Sequence, residues 1–335
     1  MERIRLPSPS FSFEASRAQG AGYQWSIGCF PLADRKVLCM DQCGLAFLFD
    51  GETRHVVTVP PLHKPKLMPV SLFVPSAHGD GGGSLFLMES CPRPEARCSG
   101  QPSDEFEVLV YRKASMTSPS KSWQSQLLPP PPYVHDPSYR NRRSEISSYA
   151  VVHGVAGRAL ICISVNGIGT YCLDTAAYTW SEVGKWTLPF IGKVEYVPEL
   201  RLWFGLSADA QHLAAADLST MDSQPQLVGS WKELNPLDEW EERQMAQVVN
   251  LGSGRFCISR FFRSSTMDEE SYESLEQKFV VFTGVEVVQR VHDGNGKASS
   301  GDNGTGDDAK VELEMILHKS RCHTPVNRTR IKAIF

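Results

Sequence analysis

The chain has 335 residues and a formal net charge of −4. This length allows one large β domain or two ordinary ones, and the weak negative charge gives no global basic surface for nucleic acid or anionic membranes. The apolar runs are too short to span a bilayer, and residues 1–20 lack the apolar centre of a signal peptide. We therefore expect a cytoplasmic or nuclear monomer that binds neither nucleic acid nor membrane.

The nine cysteines favour a reducing compartment, because their number is odd and several lie in apolar runs where a free thiol packs as a small hydrophobe. Two such runs are RALICISV (158–165) and GRFCISRFF (254–262). We expect reduced thiols throughout. The cysteines are Cys29, Cys39, Cys43, Cys91, Cys98, Cys162, Cys172, Cys257 and Cys322.

The first predicted repeat covers residues 25–62 and follows an N-terminal segment, residues 1–24, that could supply a closing strand. Its second half, LAFLFDGETRHVVTVPPL (45–62), reads as an apolar strand, a polar turn and a β-prone strand that ends at proline. Asp50 falls at the end of the first strand, where its carboxylate can accept a hydrogen bond from a backbone N–H two residues later. The pattern predicts a hairpin.

The second predicted repeat, residues 69–133, is a looser copy of the same order. Its last strand pair lies in EVLVYRKASMTSPSKSWQSQLLPPPP (107–132), where a longer linker precedes Trp123. The glycine run GDGGGS (79–84) lacks the Lys-Ser/Thr ending of a phosphate-binding loop and is interpreted as a flexible connector.

The third predicted repeat, residues 146–190, has the clearest pattern. Two strand-like runs precede GTYCLDTAAYTWSEVGKWTLPF (169–190), in which Asp174 ends one strand and closes a turn. We expect Tyr171 and Trp180 to pack across the resulting strand pair. Trp180 is further expected to be largely buried between neighbouring sheets.

Two more repeats follow, at residues 191–237 and 245–319. The first of these contains the strand pair LAAADLSTMDSQPQLVGSWKELNP (213–236). The second is interrupted by two polar insertions, residues 267–276 and 292–309. The later insertion is built from Gly, Asp, Asn, Ser and Lys, so we expect it to loop out because it offers almost no apolar surface to bury.

A repeat of four short strands over roughly 40 to 60 residues is typical of a β-propeller blade. The predicted fold is therefore all-β, a propeller of five or six four-stranded blades over residues 25–320. A sixth blade would use RIRLPSPSFSF near the N-terminus, because propellers often complete one blade with strands from both chain ends. Residues 321–335 are expected to form a basic C-terminal tail.

The tyrosine, the aspartate turn and the tryptophan of residues 169–190 resemble the second half of a kelch repeat. The chain as a whole is similar, over about residues 25–320, to kelch-like and F-box-associated propeller proteins of plants, and especially to kelch-like proteins of cereal grasses. GKVEYVPELRLWFGLSA (192–208) and NLGSGRFCISRFF (250–262) carry most of this resemblance. The kelch glycine doublet is absent, and residues 1–24 are too short for an F-box, so the adaptor function of F-box proteins is not implied.

The sequence contains only weak signals for metal binding or catalysis. A zinc cluster is less favoured than ordinary thiols, because structural zinc usually needs knuckle spacing in loops and here both cysteines flank a strand turn. A loop disulfide or metal pair is likewise less favoured than ordinary loop cysteines. No G-x-S-x-G nucleophile motif occurs. A lone histidine, His153, could face a central channel. The candidates for zinc are Cys39, Cys43, His55 and His63, and the loop pair is Cys91 and Cys98.

The basic stretches YRNRRSE (139–145) and KSRCHTPVNRTRIK (319–332) could bind phosphates or an importin-like receptor, but a solvated loop and tail is the favoured interpretation. Propellers carry variable loops on a constant core, so the leading hypothesis is a non-catalytic protein–protein interaction module. The sequence assigns no catalytic, cofactor-binding or metal-binding residue, leaves the binding residues undetermined and predicts no cofactor. The alternative is a propeller enzyme of hydrolase type with its active site in the axial channel.

Overall fold

The computed structural model describes residues 1–9, 12, 27–33, 35–41, 43–76, 82–93, 103–113, 121–139, 144–154, 157–267, 274–291, 311–325, 331 and 334. These residues form an all-β protein. After β1 (Glu2–Arg3) come five strand groups, each of four strands hydrogen-bonded in chain order. No helix in the described part is long and apolar enough to cross a membrane, and the described helices are two short 3₁₀ turns, Pro132–His135 and Pro137–Tyr139.

The first group contains β2 to β5, the second β6 to β9 and the third β10 to β13. Their bounds are β2 Ile27–Pro31, β3 Lys36–Asp41, β4 Ala46–Asp50, β5 Val56–Val59, β6 Pro69–Pro75, β7 Gly83–Glu89, β8 Ser103–Lys113, β9 Lys121–Leu128, β10 Ile146–His153, β11 Ala159–Val165, β12 Gly169–Asp174 and β13 Thr179–Gly184.

The fourth group contains β14 to β17, and the fifth contains β18 to β21. Their bounds are β14 Phe190–Val197, β15 Leu202–Ser207, β16 Leu213–Ala216, β17 Leu227–Trp231, β18 Trp240–Gly252, β19 Arg255–Met267, β20 Ser274–Val291 and β21 Val311–His323. The first residues of β14 also pair in parallel with β10, at Ser148 and Gly192. The prediction of an all-β protein made of four-stranded antiparallel sheets is confirmed.

The chain divides into two compact units. Unit A comprises Pro7–Val194 and Leu218–Pro225, and it holds the first three groups together with the start of β14. Unit B comprises Met1–Leu6, Glu195–Asp217 and Gln226–Phe335, and it holds the end of β14, the rest of the fourth group, the fifth group and β1.

Within unit A, apolar cores lie between consecutive groups. One core joins the first and second groups through residues such as Leu38 and Leu109, both fully buried. A second core joins the second and third groups through residues such as Phe106 and Leu173. In unit B, Phe204 of the fourth group packs on Phe256 of the fifth, with ring centroids 5.0 Å apart.

Two predicted turns have the expected hydrogen bonds. The Asp50 carboxylate accepts bonds from the backbone N–H groups of Glu52 and Thr53, at 2.9 and 3.0 Å. The Asp174 carboxylate likewise accepts bonds from Ala176 and Ala177, at 2.8 and 3.0 Å. These backbone donors lower the pKa of both aspartates, because each bond favours the ionised carboxylate. The predicted aspartate turns are therefore confirmed at both positions.

The expected packing of Trp180 is only partly correct. The strand register places Trp180 opposite Leu173, while Tyr171 lies opposite Glu182. Trp180 is half-buried rather than fully buried: its ring lies 5.8 Å from that of Phe106 in the second group, and its indole N–H donates to the Pro129 carbonyl at 2.9 Å. The aromatic residue thus does contact the neighbouring group, but through a different partner.

The two chain ends meet in the fifth group. Glu2–Arg3 pairs in parallel with Arg321 and Cys322, so the N-terminal strand joins the fifth group as an extra strand and contributes to no sixth group in the described residues. β21 continues to His323, so the first three residues of the predicted tail, 321–335, belong to a strand. Residues 292–309, Cys98 and most of the insertion at 267–276 lie outside the described residues.

Candidate functional site: a cleft between the first and second groups

The interface between the first and second groups has three zones along its length. Because side chains alternate along a strand, Glu107, Leu109 and Tyr111 of β8 share one face, the face turned to the first group. Leu109 lies in the apolar core at the middle. Glu107 lies at one end, in an ionic cluster, and Tyr111 lies at the other, in an open cleft.

The ionic cluster is built around a fully buried pair, Lys66 and Glu107. The Lys66 ammonium donates to Glu107 Oε1 at 2.5 Å and to the backbone carbonyls of Lys64 and Asp104 at 2.9 and 2.7 Å. All three of its protons therefore have acceptors. Lys64 in turn forms an ion pair with Glu105.

The second oxygen of Glu107 is also satisfied. Its Oε2 atom accepts hydrogen bonds from the His63 backbone N–H and the Ser125 hydroxyl, both at 3.1 Å, and lies 2.8 Å from His63 Nδ1. Burial by itself would raise the pKa of Glu107, but the hydrogen bonds from Lys66 and His63 outweigh burial, so the pKa lies below its usual value. The carboxylate is held ionised.

Ser125, His63 and Glu107 are the residue types of a nucleophilic triad, but their arrangement differs from one. In a triad the carboxylate and the hydroxyl bind opposite nitrogens of the imidazole, so that the ring can pass a proton between them. Here the Ser125 hydroxyl, at 3.2 Å, and the Glu107 carboxylate both face Nδ1 of His63. The geometry fits a structural cluster that closes one end of the interface.

The opposite end of the interface contains a cleft of about 880 Å³. Residues from both groups line it, and aliphatic, aromatic and proline side chains predominate. The lining residues are Leu32, Ala33, Lys36, Leu48, Val57, Thr58, Pro60, Phe73, Pro75, Ser76, Gly82, Gly83, Tyr111, Lys121, Ser122 and Trp123.

A glycine allows one aromatic ring to line this cleft. Gly83 of β7 lies beneath the Phe73 ring, and a Cβ atom added at Gly83 would approach the Phe73 ring to 2.3 Å and the Val74 carbonyl oxygen to 2.9 Å. Any larger residue would therefore displace the ring or the strand. Gly83 is the last glycine of the GDGGGS run (79–84), so the run has a steric role at this position. Residues 79–81 of the run lie outside the described residues.

Two further aromatic side chains, on β8 and β9, line the cleft. Tyr111 of β8 and Trp123 of β9 are directly opposite in the register, with ring centroids 5.1 Å apart. The Lys121 ammonium lies 6.0 Å from the centre of the Tyr111 ring, at the limit of a cation–π contact. On the first group, Lys36 lies opposite Asp50 in the strand register, and its charge contributes to the low pKa of that aspartate.

The candidate zinc residues do not come together. Cys39 is buried and faces Cys29 across the strand pair, with sulfur atoms 3.9 Å apart, while Cys43 and His55 are exposed. The hydrogen bond with Cys29 and burial raise the pKa of Cys39. His63 binds Glu107 instead. Across the described residues, no three His, Cys, Asp or Glu side chains form a group that could hold a metal ion.

The ionic cluster and the cleft were both missed by sequence reasoning, although each left a signal. Glu107 lies in the run FEVLV (106–110), which is otherwise apolar, and shares a strand face with Leu109, so its carboxylate is placed on the core face and requires a cation. Trp123 was recognised as the repeated aromatic residue, but not as part of a cleft. His153, the proposed channel residue, is exposed at the end of β10.

The fold and the site thus define an all-β protein of four-stranded sheets with an aromatic cleft bordered by lysines. The chain belongs to the family described as protein of unknown function (DUF1668), whose model matches residues 1–323. No curated protein matches the sequence.

The solved structures to which the chain is similar are distant in sequence. An auxiliary nutrient binding protein from Bacteroides ovatus has a TM-score of 0.38 and 9% identity, over 75% of this chain and 52% of that one, so this chain spans about half of its length. The allergen Mala s 1 of Malassezia sympodialis has a TM-score of 0.37 and 11% identity, over 75% and 84% of the two chains. The Cps50 (Swd1) β-propeller domain of Myceliophteria thermophila has a TM-score of 0.34 and 10% identity, over 75% and 77%.

Proposed function

We propose that this protein is a non-catalytic protein-interaction module of the kelch-like propeller type, acting as a monomer in the cytoplasm or nucleus. The observation that carries the proposal is the cleft between the first and second groups. It places three aromatic rings, Phe73, Tyr111 and Trp123, on a surface that a partner can reach. Aromatic side chains of this kind supply much of the binding energy at protein interfaces.

The packing of consecutive groups supports the propeller part of the proposal. In unit A the first group packs on the second and the second on the third, and in unit B the fourth packs on the fifth, each time through apolar faces. Blades of a propeller bury their apolar faces in this way. The resemblance of residues 169–190 to half of a kelch repeat is consistent with the same arrangement.

The competing proposal is an enzyme of hydrolase type. Its best candidate among the described residues is the cluster of Ser125, His63 and Glu107, whose shared use of Nδ1 does not match a proton relay. The cleft itself is lined by no His, Asp, Glu or Cys among the described residues. The arrangement therefore favours binding over catalysis.

Affinity capture with matched variants tests the proposed function. The full chain, Trp123→Ala and Trp123→Phe are each immobilised, and captured proteins are identified by mass spectrometry and then purified for direct titration. We expect one partner to bind the full chain and Trp123→Phe, and to bind Trp123→Ala at least tenfold more weakly, as for an interface anchor worth about 1.4 kcal/mol or more. Turnover of ester or peptide substrates that is lost in Ser125→Ala would favour the enzyme instead.

A further inference from the structure

Two pairs of cysteines among the described residues lie directly opposite each other on neighbouring antiparallel strands. Cys29 of β2 is opposite Cys39 of β3, and Cys162 of β11 is opposite Cys172 of β12. The two sulfur atoms of the first pair are 3.9 Å apart. In each pair the residue numbers differ by 10, so the two pairs differ in their surroundings and not in the length of chain between them.

The strand register gives both pairs the backbone spacing that a disulfide requires. Opposite residues of antiparallel strands alternate between hydrogen-bonded and non-hydrogen-bonded positions, and at the latter the Cα atoms are about 4.5 Å apart. The Leu32 N–H donates to the Lys36 carbonyl at 2.8 Å, and Pro31, which precedes Leu32, has no N–H to donate. The position of Pro31 is therefore non-hydrogen-bonded, and so is that of the first cysteine pair, two residues away on each strand.

The second cysteine pair has the same type of position. The Thr175 N–H donates to the Ala159 carbonyl at 3.4 Å, so the next pair of opposite residues, Leu160 and Asp174, is non-hydrogen-bonded. The cysteines lie two residues further along each strand. Because disulfides join Cα atoms about 4.4–6.8 Å apart, both pairs can close without a movement of the strands.

The two pairs differ in their exposure to solvent. Cys162 and Cys172 are 0% and 4% exposed. The hydrogen bond with Cys172 and burial raise the pKa of Cys162 well above its ordinary value, so this thiol stays protonated and unreactive. The second pair therefore fits the ordinary role of buried thiols, which is to pack as small hydrophobes.

The first pair places an accessible thiol beside a buried one. Cys29 is half-buried, whereas Cys39 is buried and has a raised pKa, so Cys29 is the sulfur that an oxidant meets first. A cysteine that is oxidised next to a second cysteine can be captured by it as a disulfide. Cys39 is in position to make that capture.

We propose that Cys29 and Cys39 form a reversible disulfide when the chain meets hydrogen peroxide, and that Cys162 and Cys172 stay reduced. In the first step the Cys29 sulfur attacks one peroxide oxygen, the O–O bond breaks, and Cys29 becomes a sulfenic acid as water leaves. In the second step the Cys39 sulfur attacks the Cys29 sulfur, the S–O bond breaks, and a second water leaves with the Cys39 proton. The two thiols supply the two electrons that reduce the peroxide. The modification goes beyond the proposed function and does not depend on it.

The disulfide would hold an edge of the first group. β2 is an edge strand in the described residues and is bonded to the sheet through β3. A covalent bond between the middles of these two strands makes local opening of β2 rarer. Hydrogen exchange of the β2 amides that bond to β3 should therefore slow about tenfold or more on oxidation, and recover with dithiothreitol.

Disulfide mapping of the full chain tests the proposal. The reduced protein is treated with hydrogen peroxide, the remaining thiols are alkylated at intervals, and the peptides are identified by mass spectrometry. We expect the Cys29–Cys39 disulfide to form about tenfold faster or more than a disulfide between Cys162 and Cys172, because the second pair is shielded. In guanidinium chloride the two pairs should react at similar rates, since the chain between their cysteines has the same length.

Two serine variants provide the controls. Cys29→Ser should abolish both the disulfide and the slower exchange of β2, whereas Cys43→Ser, at an exposed cysteine four residues after Cys39, should behave like the parent chain. Equal rates for the two pairs in the folded chain, or thiols at Cys29 and Cys39 that survive the peroxide, would overturn the proposal. A disulfide of Cys39 with Cys43, or a Cys29 that ends as a sulfinic acid, would overturn it as well.

Discussion

The interface between the first and second groups differs at its two ends, although the same two strands, β8 and β9, contribute to both. At one end, Glu107 and Ser125 of β8 and β9 meet Lys66 and His63, and the polar atoms of the buried pair are satisfied. At the other end, the same two strands present aromatic and cationic side chains to an open cleft. A buried polar network whose hydrogen bonds are all made fixes how the two sheets pack at one end. The opposite end can therefore remain open without a change in that packing.

The largest expected effect comes from breaking the ionic end. Lys66→Met removes the ammonium and leaves the Glu107 carboxylate buried beside an uncharged side chain, so the protein should lose about 3–5 kcal/mol of stability toward unfolding. Denaturant titration monitored by tryptophan fluorescence measures the loss. A loss below about 1 kcal/mol would show that water solvates the carboxylate and that this end is not closed.

The double variant Lys66→Met with Glu107→Leu sharpens this result. Replacing both charges by apolar groups removes the uncompensated ion, so much of the stability lost in Lys66→Met should return. If the stability lost in the double variant equals the sum of the losses in Lys66→Met and in Glu107→Leu, the two residues contribute independently.

Trp180 provides the next comparison, because it occupies the same repeat position as Trp123 and packs on the second group through the Phe106 ring. Trp180→Ala removes its contact with Phe106 and its hydrogen bond to Pro129, and should destabilise the protein by about 3 kcal/mol, at the lower end for large core truncations because the ring is half-buried. Thermal melting checks this. An unchanged midpoint with loss of partner binding would instead identify Trp180 as a binding residue.

Trp123→Ala should show the reverse pattern, with strong loss of binding and a smaller loss of stability. Its ring contacts Tyr111 of its own group, packs at the edge of the apolar core shared with the first group and borders the cleft, so the expected cost is about 1–2 kcal/mol. The same melting experiment compares it directly with Trp180→Ala. A cost as large as that of Trp180→Ala would place Trp123 in the core and weaken its assignment to the cleft.

The smallest expected effect concerns pH. The pKa of Glu107 in the folded protein lies below its ordinary value of 4.5, so the unfolded chain takes up the proton first as pH falls. The stabilisation from the ionised carboxylate is complete above pH 4.5 and is lost as pH falls through the folded pKa. The stability difference between the parent chain and Glu107→Gln should therefore shrink below that pH, and a constant difference would contradict the ionised state.

Local patterns predicted much of the fold. Alternation of apolar runs with Gly, Pro and Asp located the five strand groups, because each strand is short and ends at a residue with strong turn preference. Asp50 and Asp174 were predicted to fix turns and do so through local hydrogen bonds. Glu2–Arg3 lies in the N-terminal segment that was predicted to supply a closing strand, but no local pattern gives its register, since its parallel pairing with Arg321 joins the two ends of the chain.

The candidate site was harder to predict because its residues are distant in sequence. Lys66 and Glu107 are separated by 41 residues, and nothing near Lys66 identifies its acceptor. The cleft depends on residues from all strands of the second group and on the absence of a side chain at Gly83, which is a steric fact and not a sequence motif. The packing of the first group on the second, together with the register within the second, brings these positions together.

Hydrogen–deuterium exchange of the full chain, with and without the partner protein identified by affinity capture, tests the central claim that the open end is the binding site. The account predicts slower exchange in β5, β6 and β9 at the cleft, and unchanged exchange around Lys66 and Glu107 at the ionic end. Protection confined to the ionic end, or to strands of unit B, would contradict it.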